Sequence, residues 1–280
     1  MGAGNVSGRG AAVGYAICFE NVSLAFEGKP VLREITFAVP EGETLVLLGE
    51  SGAGKTVLLK LALGLLRPDA GRISILGREI TGLAEEELFE IRKKIGMVFQ
   101  EGALFDSLSV AENVAYRLQE EGVPAEELVA RVRQALCFVE MEGAMVKLPA
   151  ELSGGMRRRV AIARALISKP PILFYDSPTA GLDPVTSETI LSLVLRLRDL
   201  EGATSVLVTQ RLQDGFAVAN YYFDREANRL RRATGPTNGA GGRHDTRTIF
   251  MMLRDGEIFF EGAPEEMARR GDPYLEQFLR

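Results

Sequence analysis

Residues 43–56 read "ETLVLLGESGAGKT", and the rest of the chain is interpreted outward from this stretch. Leu45 to Leu48 form an unbroken aliphatic run, the pattern of a strand buried on both faces. From Gly49 the spacing is G-x-x-x-x-G-K-T, and apolar residues at helical spacing continue from Gly54 to Leu66. Strand, glycine-rich loop and helix in that order make a phosphate-binding loop. Its backbone N–H groups, from Gly49, Glu50, Ser51, Gly52, Ala53 and Gly54, can wrap phosphate oxygens at a helix N-terminus, where the dipole favours an anion. Lys55 is expected to reach the outer phosphates, and the Thr56 hydroxyl to ligate Mg2+.

The flanking sequence predicts an α/β protein. "YAICFENVSLAF", "VLREITFAV", "RISIL", "KIGMVFQ", "PPILFYD" and "ATSVLVTQ" are short runs of strand character. Residues 108–147 carry apolar residues three and four apart, which predicts a helical subdomain over about 104–166. "ILFYD" ends on Asp176, a candidate second metal ligand, although a strand-terminal Asp alone is an ordinary turn former. Residues 1–14 are expected to be a flexible tail, followed by one domain over 15–280. Residues 224–247, charged and then Gly-rich, are expected to form a long surface loop.

Bulk properties narrow the function classes. The 280 residues are 46% hydrophobic and carry a net charge of −5, and no long apolar run is present. Nucleic acid is therefore not an expected partner, and a membrane span is not expected. A cytoplasmic location is expected from the absence of a signal pattern at the start. Met1-Gly2 would suit myristoylation, but Val6 stands where Ser or Thr is needed. Cys18 and Cys137 lie among apolar neighbours and are expected to be buried free thiols.

"ELSGGMRRRVAIARAL" is the second diagnostic stretch. Ser153, Gly154 and Gly155 would open a helix with free N–H groups, a second anion-binding end that is useful to a neighbouring subunit's nucleotide. With the phosphate loop upstream and "AGLD" downstream of Asp176, the chain from Tyr15 on resembles an ATP-binding cassette (ABC) ATPase. The resemblance implies a P-loop NTPase (RecA-like) core with an antiparallel β subdomain and an inserted helical subdomain, binding ATP and Mg2+. It further implies that Phe26 stacks on adenine, where a core Phe is the alternative. Gln100 would touch Mg2+ and the attacking water, and Asp183 would communicate across a head-to-tail dimer.

Two residues depart from the family pattern. Ser177 stands where a glutamate activates water, and Gln210, in "LVTQ", stands where a histidine contacts the γ-phosphate. A neutral hydroxyl is a poor base, and Gln cannot carry positive charge. ATP binding is expected with slowed hydrolysis; the alternative is that both side chains hold water in a rearranged network. The sole histidine, His244, reads as a loop residue.

"LSGGM", "DGEIFFEGAPEEM" and "DPYLEQFL" resemble the ATPases of Mla-type, MCE-associated lipid transporters. That resemblance implies a permease, an MCE-type substrate-binding protein and a lipid cargo, at the cytoplasmic face of the inner membrane. The dimer partner would be a second copy or another, glutamate-bearing cassette. A soluble cassette protein acting on DNA or ribosomes would usually carry two cassettes in one chain or long coiled-coil inserts, and 280 residues leave room for neither. The arginines at 157–159 read as a solvated helix face.

Overall fold

In the computed structural model, which describes residues 14–233, 247–272 and 274–275, alternation and aliphatic runs become two sheets. The chain begins with a hairpin, β1 (Tyr15–Phe26) and β2 (Lys29–Pro40), and then enters the aliphatic run as β3 (Thr44–Gly49). There follow α1 (Lys55–Ala62), β4 (Ala70–Ile75), β5 (Arg78–Glu79), α2 (Glu85–Arg92) and β6 (Ile95–Val98). The helices α3 (Val110–Glu120) and α4 (Ala125–Phe138) and two single 3-10 turns lead to α5 (Gly154–Leu166). Next come β7 (Ile172–Asp176), α6 (Pro184–Glu201), β8 (Thr204–Val208), α7 (Leu212–Asn220), β9 (Tyr221–Asp224) and β10 (Arg229–Arg232). The described chain closes with β11 (Thr248–Arg254), β12 (Glu257–Gly262) and α8 (Pro264–Arg269).

Six strands in the order β12-β11-β3-β8-β7-β6 form the main sheet, parallel throughout except for the edge strand β12. Every residue of β3, β7 and β8 is buried, as strands covered on both faces require. The period of two divides the core. Val46, Leu48, Leu173, Tyr175 and Leu207 face the helices α3 to α7. Leu45, Leu47, Ile172, Phe174 and Val206 face α1, α2 and the antiparallel sheet β2-β1-β4-β5. This arrangement is the expected P-loop core with an antiparallel sheet on one face and helices on the other.

α3 starts at a capping box in which Ser109 and Glu112 bond each other's backbone N–H. Asn113, fully buried, donates to three carbonyls and accepts from the Phe105 N–H, which fixes the loop leading into the helix. Among the described residues no helix is long and apolar enough to cross a membrane.

Two expectations are corrected here. The start of the loop expected over 224–247 is a hairpin, β9 paired with β10. Alternation decides it: Leu230 packs on the core while Arg231 bonds Asp224 at 2.9 Å. Residues 234–246, including His244, lie outside the described residues, as do residues 1–13 of the expected tail. The cysteines are free, but Cys137 is exposed rather than buried and Cys18 is only partly covered.

Tyr175 is fully buried in β7, and its hydroxyl meets no hydrogen-bond partner among the described residues. An unsatisfied buried hydroxyl destabilises the native state. Tyr175→Phe is expected to stabilise the fold by about 1 kcal/mol. Urea unfolding checks this: the midpoint should rise with an unchanged slope, and a falling midpoint refutes it.

Candidate functional site

The parallel strands deliver their C-terminal ends to one edge, where such sheets bind ligands. β8 lies between β3 and β7, so the loop after β3, Gln210 after β8 and Asp176 at the end of β7 are neighbours. Gly54 caps α1 at φ 99°, where a Cβ would meet Leu32 Cδ2 at 2.7 Å. Only glycine combines that left-handed backbone with such close contact to β2. The loop of residues 49–54 is thus wedged against the β1–β2 hairpin, whose turn carries Phe26, 44% exposed.

Lys55 is 6% exposed and donates from Nζ to the carbonyls of Gly49 and Glu50, each at 2.7 Å. Burial lowers its pKa, opposed by the charges of Asp176 and Glu50. The ammonium is therefore held inside the loop that would cradle phosphates. Thr56 Oγ1 donates to Asp176 Oδ2 at 3.2 Å, which joins the two residues expected to ligate Mg2+. Hard oxygen donors suit that ion, and phosphate oxygens and water would supply the rest of its shell. Indeed, no cluster of three His, Cys, Asp or Glu able to hold a metal alone occurs among the described residues. Gln100 is exposed two residues beyond β6 and carries an amide oxygen of the type such an ion takes.

Ser177 is half-buried at φ 49°, its N–H bonded to Val208 O at 2.9 Å and its hydroxyl 3.4 Å from Asp176 Oδ1. Gln210 is exposed two residues after β8. The structure therefore puts both departures from the family pattern beside the same carboxylate strand.

Three positioning side chains went unrecognised in the sequence. Arg158 is buried, and its guanidinium donates to Pro178 O and Ala180 O, each at 3.1 Å. Arg164 donates to Gly102 O and Ala103 O, each at 2.8 Å. One helix, α5, thus grips both the turn after Gln100 and the loop after Ser177. The expectation of a solvated arginine face over 157–159 is corrected, because loop carbonyls draw Arg158 inward. The third is Asp214, 2% exposed, which accepts from Thr179 Oγ1 at 2.5 Å and Thr209 Oγ1 at 3.0 Å. It ties the loop after Ser177 to the residue before Gln210. A charged residue in a helical pattern gives no local hint of such contacts.

Ser153 caps α5, accepting from Met156 N–H at 3.3 Å, and Asp183 caps α6, accepting from Thr186 N–H at 3.0 Å. The bonds from Thr186 hold the Asp183 carboxyl below its usual range. A Cβ on Gly155 would stand 2.4 Å from Thr186 Cγ2, so α5 and α6 touch at a point only glycine permits. Gly155→Ala should therefore destabilise the fold by about 1–3 kcal/mol. Adding Thr186→Ser, which deletes Cγ2 and keeps the hydroxyl on Asp183, should restore most of it. Denaturant unfolding of the four-member cycle decides: additive losses would disprove the contact. No hydrogen bond among the described residues joins residues 153–155 to residues 49–56 of the same chain.

Residues 32–180, more than half of the chain, match the family model described as ABC transporter. The chain belongs to the ABC transporter ATPase family. This cassette is 32% identical to the intermembrane phospholipid transport system ATP-binding protein MlaF of Haemophilus influenzae, over 93% of its own length and 89% of that protein. It is 35% identical to the chloroplastic protein TRIGALACTOSYLDIACYLGLYCEROL 3 of Arabidopsis thaliana, over 92% of its length and 71% of that protein. Methionine import ATP-binding protein MetN 2 of Bacillus cereus is 42% identical, but over 70% of this chain and 59% of that protein. The cassette superposes on the dimeric, ADP- and Pi-bound ATP-binding cassette MJ0796 with a TM-score of 0.72 at 30% identity, covering 88% of this chain and 98% of that one. On cbiO1 from Clostridium perfringens the TM-score is 0.75 at 25% identity, over 95% and 96% of the two chains. The family binds ATP with Mg2+, and the residues present fit that pair.

Proposed function

We propose that this cassette is the ATPase subunit of a lipid transporter, moving phospholipid or a related hydrophobic lipid with a permease and an MCE-type substrate-binding protein. Coverage carries this reading. The two relatives whose match spans more than nine tenths of the cassette bear lipid names, whereas the methionine-import relative, although more identical, matches a shorter stretch. Two cassettes pair head to tail, each ATP lying between residues 49–56 of one and Ser153 to Gly155 of the other. Phe26 stacks on the adenine, Lys55 holds the outer phosphates, Thr56, Asp176 and Gln100 surround Mg2+, and Asp183 meets the second subunit. The pair sits peripherally at the cytoplasmic face of the inner membrane.

Reconstitution with a candidate permease and MCE-type protein, followed by phospholipid transfer between labelled vesicles, tests the cargo. ATP-dependent transfer lost in Lys55→Ala is the expected result. Turnover that responds to methionine and moves no lipid would overturn the reading.

Ser177 favours a second arrangement, in which the cassette serves as a slow ATP switch paired with a glutamate-bearing cassette. ATP-driven association of the purified chain with itself decides between the two. Dimers of the chain alone support the homodimer, and dimers only with the other cassette support the switch.

A further inference from the structure

A recess of about 260 Å³, which shares no lining residue with the phosphate loop, lies where the end of α4, α5, α6 and the β9–β10 hairpin meet. Three arginines converge on it from separate elements: Arg159 from α5, Arg196 from α6 and Arg229 from β10. Among the described residues, Glu140 is the only carboxylate in its wall.

Arg196 decides the character of the recess. Its guanidinium lies 4.5 Å from the Phe138 ring centroid and 5.4 Å from that of Phe223, so two aromatic faces fix its plane. It makes no hydrogen bond or ion pair with any described residue, and its Nε is buried without a partner. The buried Nε–H of a held, always charged group is thus left unused. Arg159 spends a single weak contact, 3.5 Å to Val139 O. Arg229 stands opposite Asp224 in the hairpin and acts on it by charge alone, because that carboxylate is hydrogen-bonded by Arg231 and by the N–H groups of Glu226 and Ala227.

Like charges facing one recess disfavour one another, and the unpaired, buried Nε of Arg196 adds to that cost. Both terms are relieved by an anion with several acceptor oxygens. We infer that this recess is a second anion site, which takes the phosphate group of a small phosphate monoester. A dianionic phosphate matches the surplus of two positive charges in the wall, and its oxygens suit guanidinium forks. The bound group would clamp α5 to α6, the helices that begin at Ser153 and Asp183, and would order the hairpin over them.

The test is calorimetric titration with inorganic phosphate at low ionic strength. Lys55→Ala silences the phosphate loop. That variant is expected to bind one phosphate per chain, and Arg196→Gln or Arg229→Gln on the same background to weaken it at least tenfold. Arg229 lies on an exposed strand, so its substitution decides even if Arg196→Gln does not fold. Complete loss of phosphate binding in Lys55→Ala, or arginine variants that titrate like their parent, overturns the proposal.

Two further arms separate the sources of the group. Glycerol 3-phosphate represents the soluble monoester, and phosphatidylcholine vesicles with and without phosphatidic acid represent a lipid headgroup. Arginine-dependent binding of either supports the site and identifies its source; arginine-independent binding of both overturns it.

Discussion

Ser177→Glu combined with Gln210→His is expected to accelerate single-turnover ATP cleavage by about 10²–10⁴-fold, the usual worth of a positioned general base. The backbone is ready for the change. Ser177 already sits at φ 49° with its N–H held by Val208 O, so a glutamate inherits the same anchored conformation. Strain at that backbone is common to both residues and cancels in the comparison. The side chain is half-buried beside Asp176, where a longer carboxylate can extend towards the phosphates. Gln210→His restores a group able to donate to the γ-phosphate with positive charge. ATP affinity should change little, because Lys55, Thr56 and Asp176 are untouched. Rapid-quench cleavage and nucleotide titration of the two single variants and the pair measure both quantities. An unchanged cleavage rate would mean that Ser177 and Gln210 already hold water competently, and the weakened-site reading would be wrong.

Asp214→Ala is expected to lower stability by about 2–4 kcal/mol, since it leaves two buried hydroxyls and Arg211 without their shared acceptor. The loss should not be uniform. Thr179 belongs to the loop after Ser177 and Thr209 precedes Gln210, so amide exchange should quicken in residues 177–183 and 209–214 together. Asp214→Asn keeps one acceptor oxygen and should lose less. Thr179→Val and Thr209→Val should each recover only part of the Asp214→Ala effect. Exchange that rises in one loop alone would show that Asp214 does not couple them.

The nucleotide cradle was legible because its chemistry is local. Gly54, Lys55 and Thr56 act through backbone conformation and reach within one turn, and a strand and helix on either side confirm the spacing. The parallel core was legible for the same reason: Leu45 to Leu48 and Ile172 to Tyr175 have no face on which to be wet. The hairpin at 221–232 was obscured by charge, since three of the four residues of β10 are arginines and only Leu230 turns inward.

The sequence by itself determined a phosphate loop, an Asp-bearing strand, a second glycine-rich helix start and the oddity of Ser177 beside Asp176. Each is set by residues adjacent in the chain, whose backbone geometry and side-chain chemistry need no distant partner. Tertiary structure alone decided that Asp176 meets Thr56 across 120 residues, that Arg158 and Arg164 of one helix hold two loops, and that Asp214 joins the loop after Ser177 to Thr209, the residue before Gln210. It also decided that Arg159, Arg196 and Arg229 face one recess. These are long side chains and buried carboxylates whose partners are carbonyls and hydroxyls, groups present throughout the chain. Only packing selects which of them they meet.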